Sequence, residues 1–436
     1  MNRPLPAPMS AASGSAISES DKSTIRIAIA LLVSALFLQR FSAPFKGSVL
    51  ELDFLSSLFL LMHQFIGGKL FIRYDRLSWF IAVGLAVTCS LLLNFNTAML
   101  PSYFLFIILY SLFTLSRRST PDAYKKILYG FQFLVMVLSC VAALQFPAQF
   151  VLDGRKLILF YGIVPDYLLG LVSPTGSPFG AAAWNTIHTI EGSWLLKSNG
   201  IFLVEPSALS QITALGILIE VLEFRRPLYL LCMALGFLVA YSGTGAITLI
   251  LFLPLVGLRN GKAGLSALLV LIFALGLFAT GIIDLSVFVS RATEFEDTRT
   301  SGFQRFISPF WLAATYFDTV SLQALLVGNG PGTAKGLDSW YGGSVATWLK
   351  MLYEYGIFFP FIFVCFLASC FRKSSCPGPV LAALLFTCVF YQTFLSTWLL
   401  TIIMVLCTLH GTESRRGRID EASPYGQFLA ARSAAI

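Results

Sequence analysis

The chain has 436 residues, of which 56% are hydrophobic and 12% charged, half the charge that a soluble domain carries (about 25%). That excludes one large water-soluble core: the apolar solvent for so many side chains is lipid, and the chain reads as all-α, a polytopic membrane protein of about twelve transmembrane helices. The net charge of +8 follows the positive-inside distribution between loops, so it gives no reason to expect nucleic acid as a partner.

Residues 1–24 are expected to form a disordered cytoplasmic tail, because the Pro, Ser and Ala between Arg3 and Ser20 bury no core. A transmembrane domain, 25–410, and a polar cytoplasmic tail, 411–436, follow. The first apolar run, Ile25–Phe41, has no small-residue cleavage site after it and reads as a retained helix. Further runs are Val49–Ile66, Leu77–Phe95, Ala98–Leu115, Ile127–Phe146, Phe202–Leu222, Pro227–Tyr241 and Ala246–Leu258. Gly264–Ile283, Val345–Phe371, Val380–Leu395 and Trp398–His410 complete the set. None alternates apolar with polar as a barrel strand does.

Twelve crossings place both tails on one side. The loops on that side carry Lys69, Arg73, Arg76, Arg117, Arg118, Lys125, Lys126, Arg225, Arg226, Arg259, Lys262, Arg372 and Lys373. The short opposite loops, at 94–97, 242–245 and 396–397, carry no Lys or Arg, so both termini are expected in the cytoplasm. Two long loops, 147–201 and 284–344, fall on the outer side. Apolar stretches Lys156–Val164 and Tyr167–Val172 are suited to lying at the interface, and Phe303–Phe317 to an amphipathic helix. The eight cysteines form no ligand-spaced set with histidine and read as packing, and no cofactor or metal is expected.

The outer loops hold the residues suited to chemistry. Arg291, Arg299 and Arg305 in the second, with Arg155, Lys156 and Lys197 in the first, fit two readings: forks for phosphate oxygens, or anchors to anionic lipid headgroups. Glu205, before Pro206 and Ser207, is a carboxylate at a membrane boundary. It suits a proton acceptor for an attacking hydroxyl, or an ion pair with an outer arginine. Lys350 and Glu354 stand one helical turn apart and suit a mutual ion pair, with Lys350 near enough to the outer face to help a phosphate site. Of three histidines only His188 lies in an outer loop; His63 and His410 read as structural. Gly328–Gly332 lacks the spacing of a P-loop and reads as a turn beside a substrate, and Ser242–Gly245 as a tight turn. No Asp-x-Asp pair is present to hold a metal-bound nucleotide sugar.

In this order, Lys197–Ser207 (KSNGIFLVEPS), Tyr241–Gly245 (YSGTG), Arg299–Phe306 (RTSGFQRF), Leu326–Gly332 (LVGNGPG) and Ala346–Gly356 (ATWLKMLYEYG) resemble the O-antigen ligase and Wzy-type polysaccharide polymerase superfamily. Its ligases carry a histidine where Ala346 and Thr347 stand, so the resemblance points to a polymerase. Arg291 to Gly302 fits an Arg-to-Gly spacing of polymerases, and Glu-Pro-Ser looks most like exopolysaccharide polymerases. The resemblance implies a metal-independent glycosyltransferase of the bacterial inner membrane, facing the periplasm. It would pass a growing glycan from polyprenyl diphosphate to the next lipid-linked repeat, with a chain-length regulator as a further candidate partner. Arg305 and Glu205 are its expected catalytic residues. Lys197, Arg291, Arg299, Lys350 and His188 are its expected substrate-binding residues. An O-antigen ligase and a lipid-linked oligosaccharide flippase remain the alternatives.

Overall fold

The computed structural model describes residues 18–45, 48–152, 195–259, 303, 307–337, 345–391 and 394–412. Ser18 caps the first helix, α1 (Glu19–Phe37), by accepting from Asp21 N at 3.1 Å. Residues 19–24 are therefore helical and do not belong to a disordered tail. A hairpin of β1 (Ser42–Phe45) and β2 (Ser48–Glu51) leads into α2 (Leu52–Ile66). Then come β3 (Phe71–Ile72), α3 (Tyr74–Leu93) and α4 (Leu100–Ser111), which passes through a 3-10 turn into β4 (Leu115–Ser119). α5 (Pro121–Ala148) follows, capped by the Thr120 hydroxyl. α6 (Pro206–Ile219) ends in a π turn, Glu220–Phe224, before α7 (Pro227–Val239) and α8 (Gly243–Arg259). The last part holds α9 (Ser308–Thr319), α10 (Leu322–Val327), α11 (Thr347–Tyr355), α12 (Phe359–Phe371) and α13 (Gly378–Phe390). It closes with α14 (Thr397–Ile403), its π turn Met404–Thr408, and β5 (His410–Thr412).

Several expectations change. The chain is mainly helical but not wholly so, since among the described residues five short strands join helix ends. The run Val345–Phe371 is two helices, because Gly356 stands at φ +84 between α11 and α12 and stops the first. Within the amphipathic stretch Phe303–Phe317, Phe303 is helical and Ser308 opens α9, with Pro309 in its first turn. Gly264–Ile283, most of the first long loop and nearly half of the second lie outside the described residues.

Side-chain bonds define two ends of the helix assembly. At one, Arg117 donates to Thr24 Oγ1 (2.7 Å), Gln64 Oε1 (3.0 Å) and Ser23 Oγ (3.2 Å), gathering the start of α1, the end of α2 and β4. Arg76, wholly buried, donates there to the carbonyls of Phe113, Leu115 and Thr408. This terminal end also holds the parallel pairing of β4 with β5. At the distal end, Gln39, Ser90, Gln145, Thr244, Thr347 and Thr397 bond across helices. Successive helices α1 to α8 run alternately between the two ends, and α12, α13 and α14 continue the alternation.

Among the described residues, three helices, α3, α5 and α6 with its π turn, are long and apolar enough to cross a membrane; α2, α4, α7, α8, α12, α13 and α14 are apolar but shorter. Their outward faces are oily: Phe59, Leu92, Leu144, Ile250 and Phe361 are exposed, while Asp53, Arg76, Glu220 and Glu354 are buried. That polarity is the reverse of a water-soluble fold.

Candidate active site

The distal end collects most of the buried polar chemistry. Glu51 closes β2 and Asp53 lies in the first turn of α2, so two residues of chain bring two carboxylates to one helix start. Thr397, the first residue of α14, bridges them: its Oγ1 contacts Glu51 Oε2 and lies 2.8 Å from Asp53 Oδ2. Asp53 is fully buried, and its Oδ1 has no hydrogen-bond partner among the described residues.

Phe394 connects this group to α11. The Lys350 ammonium stands 5.9 Å from its ring centre and 3.8 Å from Glu354 Oε1. The expected Lys350–Glu354 pair is thus present, with Glu354 buried and Lys350 half-buried. Glu354 Oε1 also accepts from Ala334 N at 3.2 Å. The glycine turn Gly328–Gly332 is wrapped around this helix end. Asn329 N donates to Tyr353 O (2.9 Å) and Gly330 N to Glu354 O (3.0 Å). A Cβ at Gly328 would come within 2.2 Å of Glu354 O, and one at Gly356 within 2.3 Å of Leu326 O. The glycines let two backbones cross; their use is packing, and the turn is filled by α11.

Glu205 stands at the N-cap of α6 with extended backbone and no capping bond from its side chain, and Pro206 occupies the first turn as expected. The segment before it is braced on the end of α5. Gln145 Oε1 accepts from Asn199 N (3.2 Å) and Gly200 N (3.0 Å). Arg40 donates to Ile201 O, and Val204 N to Gln39 Oε1 at 3.4 Å. Ile201 is held at φ +66, a left-handed backbone costing a β-branched residue on the order of 1–3 kcal/mol. Lys197 is half-buried beside Ser198, whose N–H donates to Val239 O.

The expected tight turn lies earlier than its sequence suggests: the chain turns at Ala240–Ser242, with Tyr241 at φ +44, and Gly243, Thr244 and Gly245 are already the first residues of α8. Gly245 lies so close to α6 that a Cβ would come within 2.3 Å of Ser210 O. A relay then crosses the distal end. Thr244 Oγ1 donates to Ser207 O (3.4 Å), Tyr391 OH to Thr244 O (2.8 Å), and Thr347 Oγ1 to Tyr391 O (2.6 Å). Thr347 is committed to this buried bond.

Glu205, Lys197 and Lys350 therefore share one end of the assembly. His188, Arg291, Arg299 and Arg305 lie outside the described residues. Sequence reasoning passed over Glu51 and Asp53. The rule that singled out Glu205, a carboxylate at the outer boundary of an apolar run, marks them equally. In comparisons with protein families, curated proteins and solved structures, the chain matches none.

Proposed function

We propose that the chain is a polysaccharide polymerase of the bacterial inner membrane, crossing it about twelve times with both termini cytoplasmic and the distal end in the periplasm. Its donor is a growing glycan on polyprenyl diphosphate, and its acceptor is a sugar hydroxyl of the next lipid-linked repeat. The observation that carries the reading is the sorting of charge. Glu51, Asp53, Glu205 and Glu354 lie at the distal end with the cations Arg40, Lys197 and Lys350. More of the described basic residues, among them Arg73, Arg117, Arg118, Arg226 and Arg372, belong to connections at the other. A glycan-carrying diphosphate is presented at that periplasmic depth.

Transfer breaks the bond from the anomeric carbon to the diphosphate oxygen, and the electron pair leaves on the diphosphate. Cations stabilise that charge best in a water-poor site, which is the role of Lys197, Lys350, Arg291, Arg299 and Arg305. A carboxylate takes the acceptor's proton, with Glu205 the candidate from sequence.

Purified protein incubated with its lipid-linked repeat, without nucleotide or metal, is expected to give a ladder of lengthening chains. Arg305→Ala is expected to abolish the ladder at unchanged protein level. Substrate moved across vesicles without any ladder would replace the polymerase by a flippase, and a single transfer to a lipid A core would replace it by a ligase.

A further inference from the structure

We propose that Glu51, Asp53 and Thr397, with Ser42, form a hydroxyl-binding pocket in which the two carboxyls share one proton and accept a second. Three observations and one electrostatic argument converge there. Thr397 Oγ1 contacts an oxygen of each carboxyl, yet a hydroxyl has one proton to give. One contact is donated by Thr397, so the other needs a proton carried by a carboxyl. Two ionised carboxylates sharing one hydroxyl in a buried place would repel each other with little water to screen them. Asp53 is fully buried with Oδ1 unpartnered among the described residues, although the same planar group is anchored through Oδ2. Ser42 stands directly opposite Glu51 in the β1–β2 hairpin, and its buried hydroxyl also has no partner among the described residues.

Among the described residues no cation is bonded to either carboxyl. From α1, Ser34 Oγ donates to the Asp53 carbonyl at 3.1 Å, not to its carboxyl. Arg40, just past the end of α1, gives Nη1 to Ile201 O. From α14, Thr397 is the polar group that meets both acids, and Glu51 itself is half-buried, which leaves a way in from the distal face. A ligand that fits must both donate, to a carboxylate oxygen, and accept, from Ser42. A sugar hydroxyl does both.

Resting on the polymerase reading for this step alone, the pair is the base. As the acceptor oxygen bonds to the anomeric carbon and the diphosphate leaves with its electrons, the acceptor proton passes to the ionised carboxyl. The pair then holds two protons and returns one to solvent. Glu205 is left as the cap of α6.

The test separates the pocket from the reaction. Dicyclohexylcarbodiimide adds to a protonated carboxyl in apolar surroundings and leaves a stable N-acylurea. With the full-length purified protein at pH 7, peptide mass spectrometry is expected to find the adduct on Glu51 or Asp53. It should persist in a high-sodium buffer and be lost in the double variant Glu51→Gln, Asp53→Asn. No adduct on either residue at pH 7 overturns the shared proton, and protection by sodium would assign the pocket to a cation instead. In the ladder assay Glu51→Gln is expected to slow extension by about 10²–10⁴-fold and to remove the acidic limb of the pH–rate profile. Extension at the wild-type rate and profile by both Glu51→Gln and Asp53→Asn overturns the base. A wild-type protein that makes no ladder overturns the polymerase reading and leaves the labelling result standing.

Discussion

Arg76 shows how one residue can be read correctly by charge and wrongly by role. It counts toward the basic loops, yet it is wholly buried and supplies one nitrogen to three carbonyls from separate parts of the chain. Arg76→Met orphans all three and is expected to lower the melting temperature sharply, by the equivalent of ~3–5 kcal/mol. Arg76→Lys, which still donates, should recover part of it. His410 tests the same end by pH. Burial, with Arg117 adding to it, pushes its imidazole from 6.5 down to about 3. The unfolded chain therefore takes a proton that the folded one refuses. Stability from this residue is complete above about pH 6.5 and is lost as pH falls toward 3. Thermal melts across that range should slope for the wild type and flatten for His410→Leu. Lys350→Met leaves the buried Glu354 without its cation and should destabilise by less than the ~3–5 kcal/mol of a fully buried pair, since Lys350 is part-exposed and 3.8 Å away. Glu354→Gln, which keeps the bond to Ala334 N, should cost less still in the same melts.

At the scale of elements, what sequence revealed and what it hid divide by distance along the chain. Pro206 opening α6 and the Lys350–Glu354 pair are local, set by residues within a turn of one another, and each is found as read. The Glu51–Thr397–Asp53 group joins positions far apart in sequence, and no periodicity announces such a meeting. Hydropathy also ran straight through Gly356, because an apolar average has no term for a backbone that must turn left-handed. The crossing of Gly328 and Gly356 gives a direct check. Gly328→Ala or Gly356→Ala combines positive φ with a clash against backbone and is expected to abolish folded protein on size-exclusion chromatography. Gly243→Ala, where nothing lies near the added methyl, should behave as wild type.

Among the described residues, Asp53, Arg76, Glu220 and Glu354 are buried, while Phe59, Leu92, Leu144 and Phe361 face outward around a core of other phenylalanines and leucines. The alternating helices return His410 to the end where Ser18 begins. A reporter enzyme fused after Thr412 should accordingly be active when it is of the kind that works in cytoplasm and silent when it requires export. The opposite pattern would invert the assignment of the distal end to the periplasm and remove the support that charge sorting lends to the proposed reaction.

The parallel pairing of β4 with β5 has a bearing on how the protein is made. Arg117 N donates to Leu409 O, and the third acceptor of Arg76 is Thr408 O, so partners of the first hundred or so residues arrive only with the last helix. During synthesis the early helices must wait with a buried cation incompletely solvated. The nascent chain is then a natural client for insertion factors that shield polar groups in lipid, and chains cut short before this strand should be recognised by quality-control proteases as unfinished.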